Sequence, residues 1–117
     1  MTATRIIYHL AAEADWLAAQ KVGTYRGSPD DLRDGFMHFS TAEQVVESAA
    51  KHRKGRADQI LLAVRIDRLG LDLKWEASRG GALFPHLYRP LAVSEVEQAV
   101  TLPLGPDGRH AFPPLQN

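Results

Sequence analysis

Three of the five histidines in this chain stand in aromatic or apolar company. They are His9 in Ile7-Tyr8-His9-Leu10, His38 in Phe36-Met37-His38-Phe39, and His86 in Phe84-Pro85-His86-Leu87. Imidazole in such a setting can pass a proton near neutral pH, bind a metal, or meet a sugar hydroxyl or a phosphate. The bland alternative for each is a core histidine whose ring N–H is satisfied locally. A zinc site built on the three lacks the usual spacing, since neither His-x-His nor His-x-x-x-His occurs, so no metal is expected.

Other reactive side chains cluster near them in sequence. Asp34-Gly35 is a turn, and Phe36 to Phe39 reads as a strand with Phe36, His38 and Ser40 on one face. Ser40 could pair with His38 as a nucleophile, but Gly-x-Ser-x-Gly is missing. Thr41 with Gln44 fits a helix capping box, so Ser40 and Thr41 read as caps beside backbone N–H groups that favour anions. Glu76, after Trp75, is the best-placed carboxylate for a base or for ribose. Arg79 beside Gly80-Gly81 could clamp a phosphate, and Tyr88 follows His86 on the same segment.

The elements that must position these groups follow from periodicity. Arg5 to Leu10 is a strand, and His9 within it needs a hydrogen-bond partner if both faces are covered. Ala11 to Lys21 reads as a helix ending at Gly23, and Thr24 to Arg33 as a loop or single turn. Ala42 to Arg53 is a second helix with Val45, Val46, Ala49 and Ala50 as its apolar stripe; its basic last turn reads as a solvated end. Ile60 to Val64 is a central buried strand. Leu71, Leu73 and Trp75 alternate with charged residues as a half-buried strand. Two prolines bar a regular helix from Leu83 to Leu91, and Ala92 to Leu102 holds the last strand, with Val93, Val96 and Val100 as core candidates. An irregular tail runs from Pro103, and His52 and His110 read as surface or tail residues.

The order gives a single α+β domain over residues 1–117 with two short helices near the N-terminus. No Gly-x-Gly-x-x-Gly or Walker sequence is present. Formal net charge is zero, which leaves no electrostatic footprint for nucleic acid. Cysteine is absent, which excludes disulfides and thiolate metal sites. Neither a signal-peptide pattern nor an apolar run near the ~20 residues of a membrane helix occurs, so a cytoplasmic domain is expected.

Ile7-Tyr8-His9, Asp34 through Thr41, Trp75-Glu76, and Phe84 through Leu91 together carry a family resemblance, spanning Arg5 to Phe112. The chain resembles the small bacterial family called domain of unknown function 952. That resemblance implies an ADP-ribosyltransferase-like fold, a split β-structure with a cleft between two small sheets. It implies that His9 meets the ribose of NAD. The stretch with His38, Ser40 and Thr41 is similar to that of tRNA 2′-phosphotransferases, where the histidine sits near the nicotinamide and ribose end. The acidic residue of mono-ADP-ribosyltransferases has no motif match here, and Glu76 stands as its candidate. The winged-helix part of the tRNA enzymes is missing, and the neutral charge disfavours a tRNA substrate.

The expected site therefore has His9, His38 and Glu76 in catalytic roles. Ser40, Thr41, Arg79, His86 and Tyr88, again with His9, would bind NAD. In ribosyl transfer His9 would orient the ribose, Glu76 would stabilise the charge that develops on it, and His38 or His86 would hold the diphosphate or a leaving group. A non-catalytic module for a nucleotide or another small metabolite is the alternative. A structural domain with core histidines is the third reading.

Overall fold

The computed structural model describes residues 4–117, the side chain of Arg79 excepted. Strand β1 (Ile6–Ala12) leads into helix α1 (Glu13–Val22), which ends where Gly23 takes a left-handed φ and donates its N–H to Ala19. Then come β2 (Thr24–Tyr25), helix α2 (Pro29–Asp34), β3 (Met37–His38) and helix α3 (Ala42–His52). Strands β4 (Gln59–Arg65), β5 (Leu73–Ala77), β6 (Leu83–Leu87), β7 (Leu91–Ala92) and β8 (Val96–Thr101) complete the described chain. The architecture is α+β with antiparallel sheets, as expected.

Two three-stranded sheets carry the fold, in orders β1-β4-β8 and β3-β6-β5; β2 and β7 form a small third pair. Tyr8 and Ser40 join the two large sheets by exchanging backbone hydrogen bonds at 2.8 Å each. The far edge of β1 therefore meets the chain just after β3, and this junction sets His9 beside His38.

Strand β4 is central and apolar from Ile60 to Val64, where both its faces are covered. Ile60, Leu62 and Val64 join Ile7, Trp16, Tyr25, Phe39 and Leu87 in the main core. Leu61 and Ala63 join Tyr8, Val45 and Leu102 in a second cluster on the opposite face, with Phe112 and Leu115 of the tail packed against it. His9 shares its face of β1 with Ile7 and Ala11 and so points toward the main core.

Several expectations need correction. The segment Thr24 to Arg33 is not just a loop: it holds β2 and most of α2, so three α-helices stand among the described residues rather than two. Ser28 and Asp31 form the capping box of α2, with Pro29 at its first position. Ala11 and Ala12 extend β1 instead of opening α1. Leu71 lies in a 3₁₀ turn, fully in solvent, and β5 begins only at Leu73. Val46 is half exposed, so the stripe of α3 rests on Val45 and Ala49. The last strand does lie within Ala92 to Leu102, from Val96 to Thr101, after a 3₁₀ turn. His110 is buried, and its Nε2–H donates to the Arg56 carbonyl at 2.7 Å, pinning the tail to the loop after α3. Among the described residues no helix is long and apolar enough to cross a membrane.

Candidate functional site

His9, His38 and His86 line one hollow of about 340 Å³. Its walls are the middle of β1, helix α2, the inner face of α3, and the start of β6 with the turn before it. Because β3 pairs with β6 in register, His38 stands directly opposite His86, and their ring centroids are 5.6 Å apart. Phe36 stacks on the His86 ring at 4.1 Å and lies 4.6 Å from that of His38.

Asp31 organises the back of the site. The carboxylate is buried and accepts three contacts that the fold must satisfy. Its Oδ1 takes the backbone N–H of His38 at 2.9 Å and the ring Nδ1–H at 2.6 Å. Its Oδ2 takes the Ser28 backbone N–H at 2.7 Å, closing the capping box of α2. Burial opposes the charge, but the His38 side-chain bond and the backbone N–H groups of Ser28 and His38 favour it, and the Asp31 pKa is lowered to about 2. Gly27 makes this possible. Its φ is +105°, and a Cβ there would lie 2.7 Å from both Cβ and Oδ2 of Asp31.

His38 is the cation of this pair. The Asp31 hydrogen bond raises its pKa against partial burial, with help from Asp34, whose Oδ2 lies 3.1 Å from Nε2. With Nδ1–H donating to Asp31 and Nε2 within ion-pair distance of Asp34, the surroundings favour the imidazolium. His9 is its neutral counterpart. Burial lowers its pKa, more than the nearby Asp31 charge raises it. Nδ1–H donates to the His38 carbonyl at 2.8 Å, which leaves Nε2 to accept the Tyr25 hydroxyl at 2.8 Å. Burial also pushes the Tyr25 phenol up, so it stays a donor.

The third imidazole is tied differently. His86 Nδ1–H donates to Glu76 Oε1 at 2.8 Å, and the Tyr88 hydroxyl donates to the same oxygen at 2.5 Å. Glu76 and Tyr88 stand at the edge and do not line the hollow. Ser40 does line it, and its hydroxyl donates to Ser48 on α3 at 3.3 Å. Thr41 lies outside it and caps α3, its N–H bonded to Gln44 Oε1 at 3.0 Å. The side chain of Arg79 lies outside the described residues.

The backbone of this site is also found in solved structures. A family profile described as Protein of unknown function (DUF952) matches residues 10–99. The chain belongs to this family. A crystal structure of protein CC0527 from Caulobacter crescentus resembles the DUF952 chain with a TM-score of 0.88 at 54% identity, over 91% of this chain and 93% of that one. A solution NMR structure of CC0527 gives 0.81 at 55% identity, over 89% and 90%. No curated protein matches.

Sequence reasoning missed Asp31, Tyr25 and Gly27 of this DUF952 chain. The signal for Asp31 was present as Ser28-Pro29-Asp30-Asp31, a capping pattern with proline inside the first turn. Tyr25 carried none, since its reach to His9 depends on how β2 packs. The basic last turn of α3 is exposed at Lys51 and His52, as expected, and with Arg53 these residues also line the hollow.

Proposed function

We propose that the hollow binds a nucleotide of the NAD class, on an ADP-ribosyltransferase-like split β-fold, and that its chemistry is ribosyl transfer. The observation that carries this reading is the convergence of His9, His38 and His86, from distant points of the chain, on one cavity. Its volume falls within the range of small-molecule sites. Lys51 and Arg53, which line the hollow, suit a diphosphate, with Lys51 also paired to Glu47 at 3.0 Å, and the His38 ring suits an electron-rich oxygen. The bridge at Tyr8 and Ser40, which joins two small three-stranded sheets, supports the split β-fold.

A second reading, a binding module without turnover, is favoured by how the polar groups are spent. Both N–H groups of His38 face carboxylates, and Glu76 Oε1 already accepts two hydrogen bonds. The test is an NMR titration with NAD that follows the ring signals of His9 and His38, run beside an assay for nicotinamide release. Ring shifts with release support transfer, and ring shifts alone support the binding module. Unmoved ring signals at millimolar NAD overturn both.

A further inference from the structure

Glu76 and His86 sit on neighbouring strands, one pair apart on the diagonal, because Glu76 is in register with Phe84. Their hydrogen bond commits Nδ1 of the imidazole. Tyr88, two residues along from His86, reaches the same carboxylate oxygen and stops the Glu76 side chain from swinging away. Phe36 lies flat against the ring, with 27° between the two planes, and so opposes its rotation. What remains is Nε2. It has no hydrogen-bond partner among the described residues, and the ring lines the hollow although it is 95% buried. A carboxylate that fixes one N–H of a histidine presents the lone pair of the other nitrogen, the arrangement that orients a proton acceptor.

We propose that His86 Nε2 is the general base of the hollow. Its substrate is a hydroxyl, of a small alcohol or of water, that loses its proton while its oxygen attacks an electrophilic carbon. Glu76 and Tyr88 are then positioning residues. Where the electrophile is NAD, a step that rests on the functional reading above, the bookkeeping is as follows. The hydroxyl oxygen bonds to ribose C1′, and the C1′–N bond breaks with its electron pair going to nicotinamide, which leaves neutral. The hydroxyl proton passes to His86 Nε2. Phosphoryl chemistry is not needed, and the acceptor class is set by the base: it must carry a proton that an imidazole can take.

Two measurements test this. The first is nicotinamide release from NAD in water by the wild type, Glu76→Gln and Tyr88→Phe, both substitutions being at the exposed rim. The expected result is a fall in kcat of about a hundredfold for Glu76→Gln and a smaller fall for Tyr88→Phe, with KM nearly unchanged. Turnover in the wild type that neither substitution alters overturns the base and leaves the nucleotide reading standing. The second is acylation of the wild type by diethyl pyrocarbonate, whose carbonyl is attacked by unprotonated imidazole nitrogen, read by peptide mass. Carbethoxylation at His86 is expected. If no nicotinamide is released, this second result decides: modification of His86 upholds the base for another electrophile, and an unmodified His86 overturns it.

Discussion

Replacing Asp31 by Asn tests whether the site is held by charge or by shape, because the two side chains have nearly the same size. The carboxylate accepts at both oxygens, whereas an amide accepts at one. Whichever way the amide turns, its NH₂ faces a backbone or ring N–H that now lacks a partner, either on Ser28 or on His38. Holding the carboxyl at about 2 instead of its ordinary 3.8 corresponds to ~2.5 kcal/mol of stability. An orphaned buried N–H adds ~1–3 kcal/mol, so the total loss is ~3.5–5.5 kcal/mol, close to the ~3–5 kcal/mol for breaking a buried ion pair. The sign of the pH dependence follows from the two shifts. The Asp31 pKa is depressed, so its contribution is complete above 3.8 and is lost as pH falls through about 2. The His38 pKa is raised, so its contribution is complete below 6.5 and is lost as pH rises through the elevated value. The difference between wild type and Asp31→Asn should therefore be largest between pH 4 and 6.5 and should shrink on either side. Urea unfolding of both proteins across that range measures it. A difference under about 1 kcal/mol at pH 5, or one that does not shrink toward pH 2, refutes the electrostatic account.

Two further outcomes are expected. Gly27→Ala should destabilise by ~1–3 kcal/mol and shift the His38 ring signals, because the new Cβ collides with Asp31 and the backbone is left-handed; unchanged His38 signals would show that Asp31 has room to move. Removing residues 112–117 should lower stability by ~2–4 kcal/mol in the same urea assay, through loss of Phe112 and Leu115 from the second core cluster and of the two hydrogen bonds between the Tyr8 hydroxyl and the backbone of Gln116. An unchanged urea midpoint would show that the tail merely rests on the sheet.

The periodic parts of the fold were legible because burial there is dictated by neighbours in sequence. Strand β4 announces itself as an unbroken apolar run, and α3 by its cap and by Val45 and Ala49. His9 was legible as a buried polar group requiring a partner, and it has two. The partner's identity was not legible, because Tyr25 reaches it from β2, a two-residue strand whose placement depends on pairing with β7 near the other end of the chain. Helix α2 was hidden for a related reason. It has six residues and only one of them, Asp31, is buried, so no apolar stripe marks it. Its cap was the sole local sign, and proline, glycine and aspartate nearby read equally well as a loop.

Helix α2 also shows why the site takes the form it does. A six-residue helix without a buried apolar side chain contributes little to a hydrophobic core, and it sits where Ser28, Asp31 and Gly35 satisfy its ends. The residue that caps it at one end is the residue that fixes the His38 ring, so α2 and His38 share one carboxylate. His9 then gains neutrality from burial in the main core and a fixed tautomer from the His38 carbonyl. An imidazolium and a neutral imidazole are thus held side by side by a single carboxylate, with neither free to exchange roles. That two like rings are driven in opposite directions follows from their surroundings: one faces two carboxylates, and the other is buried in the main core.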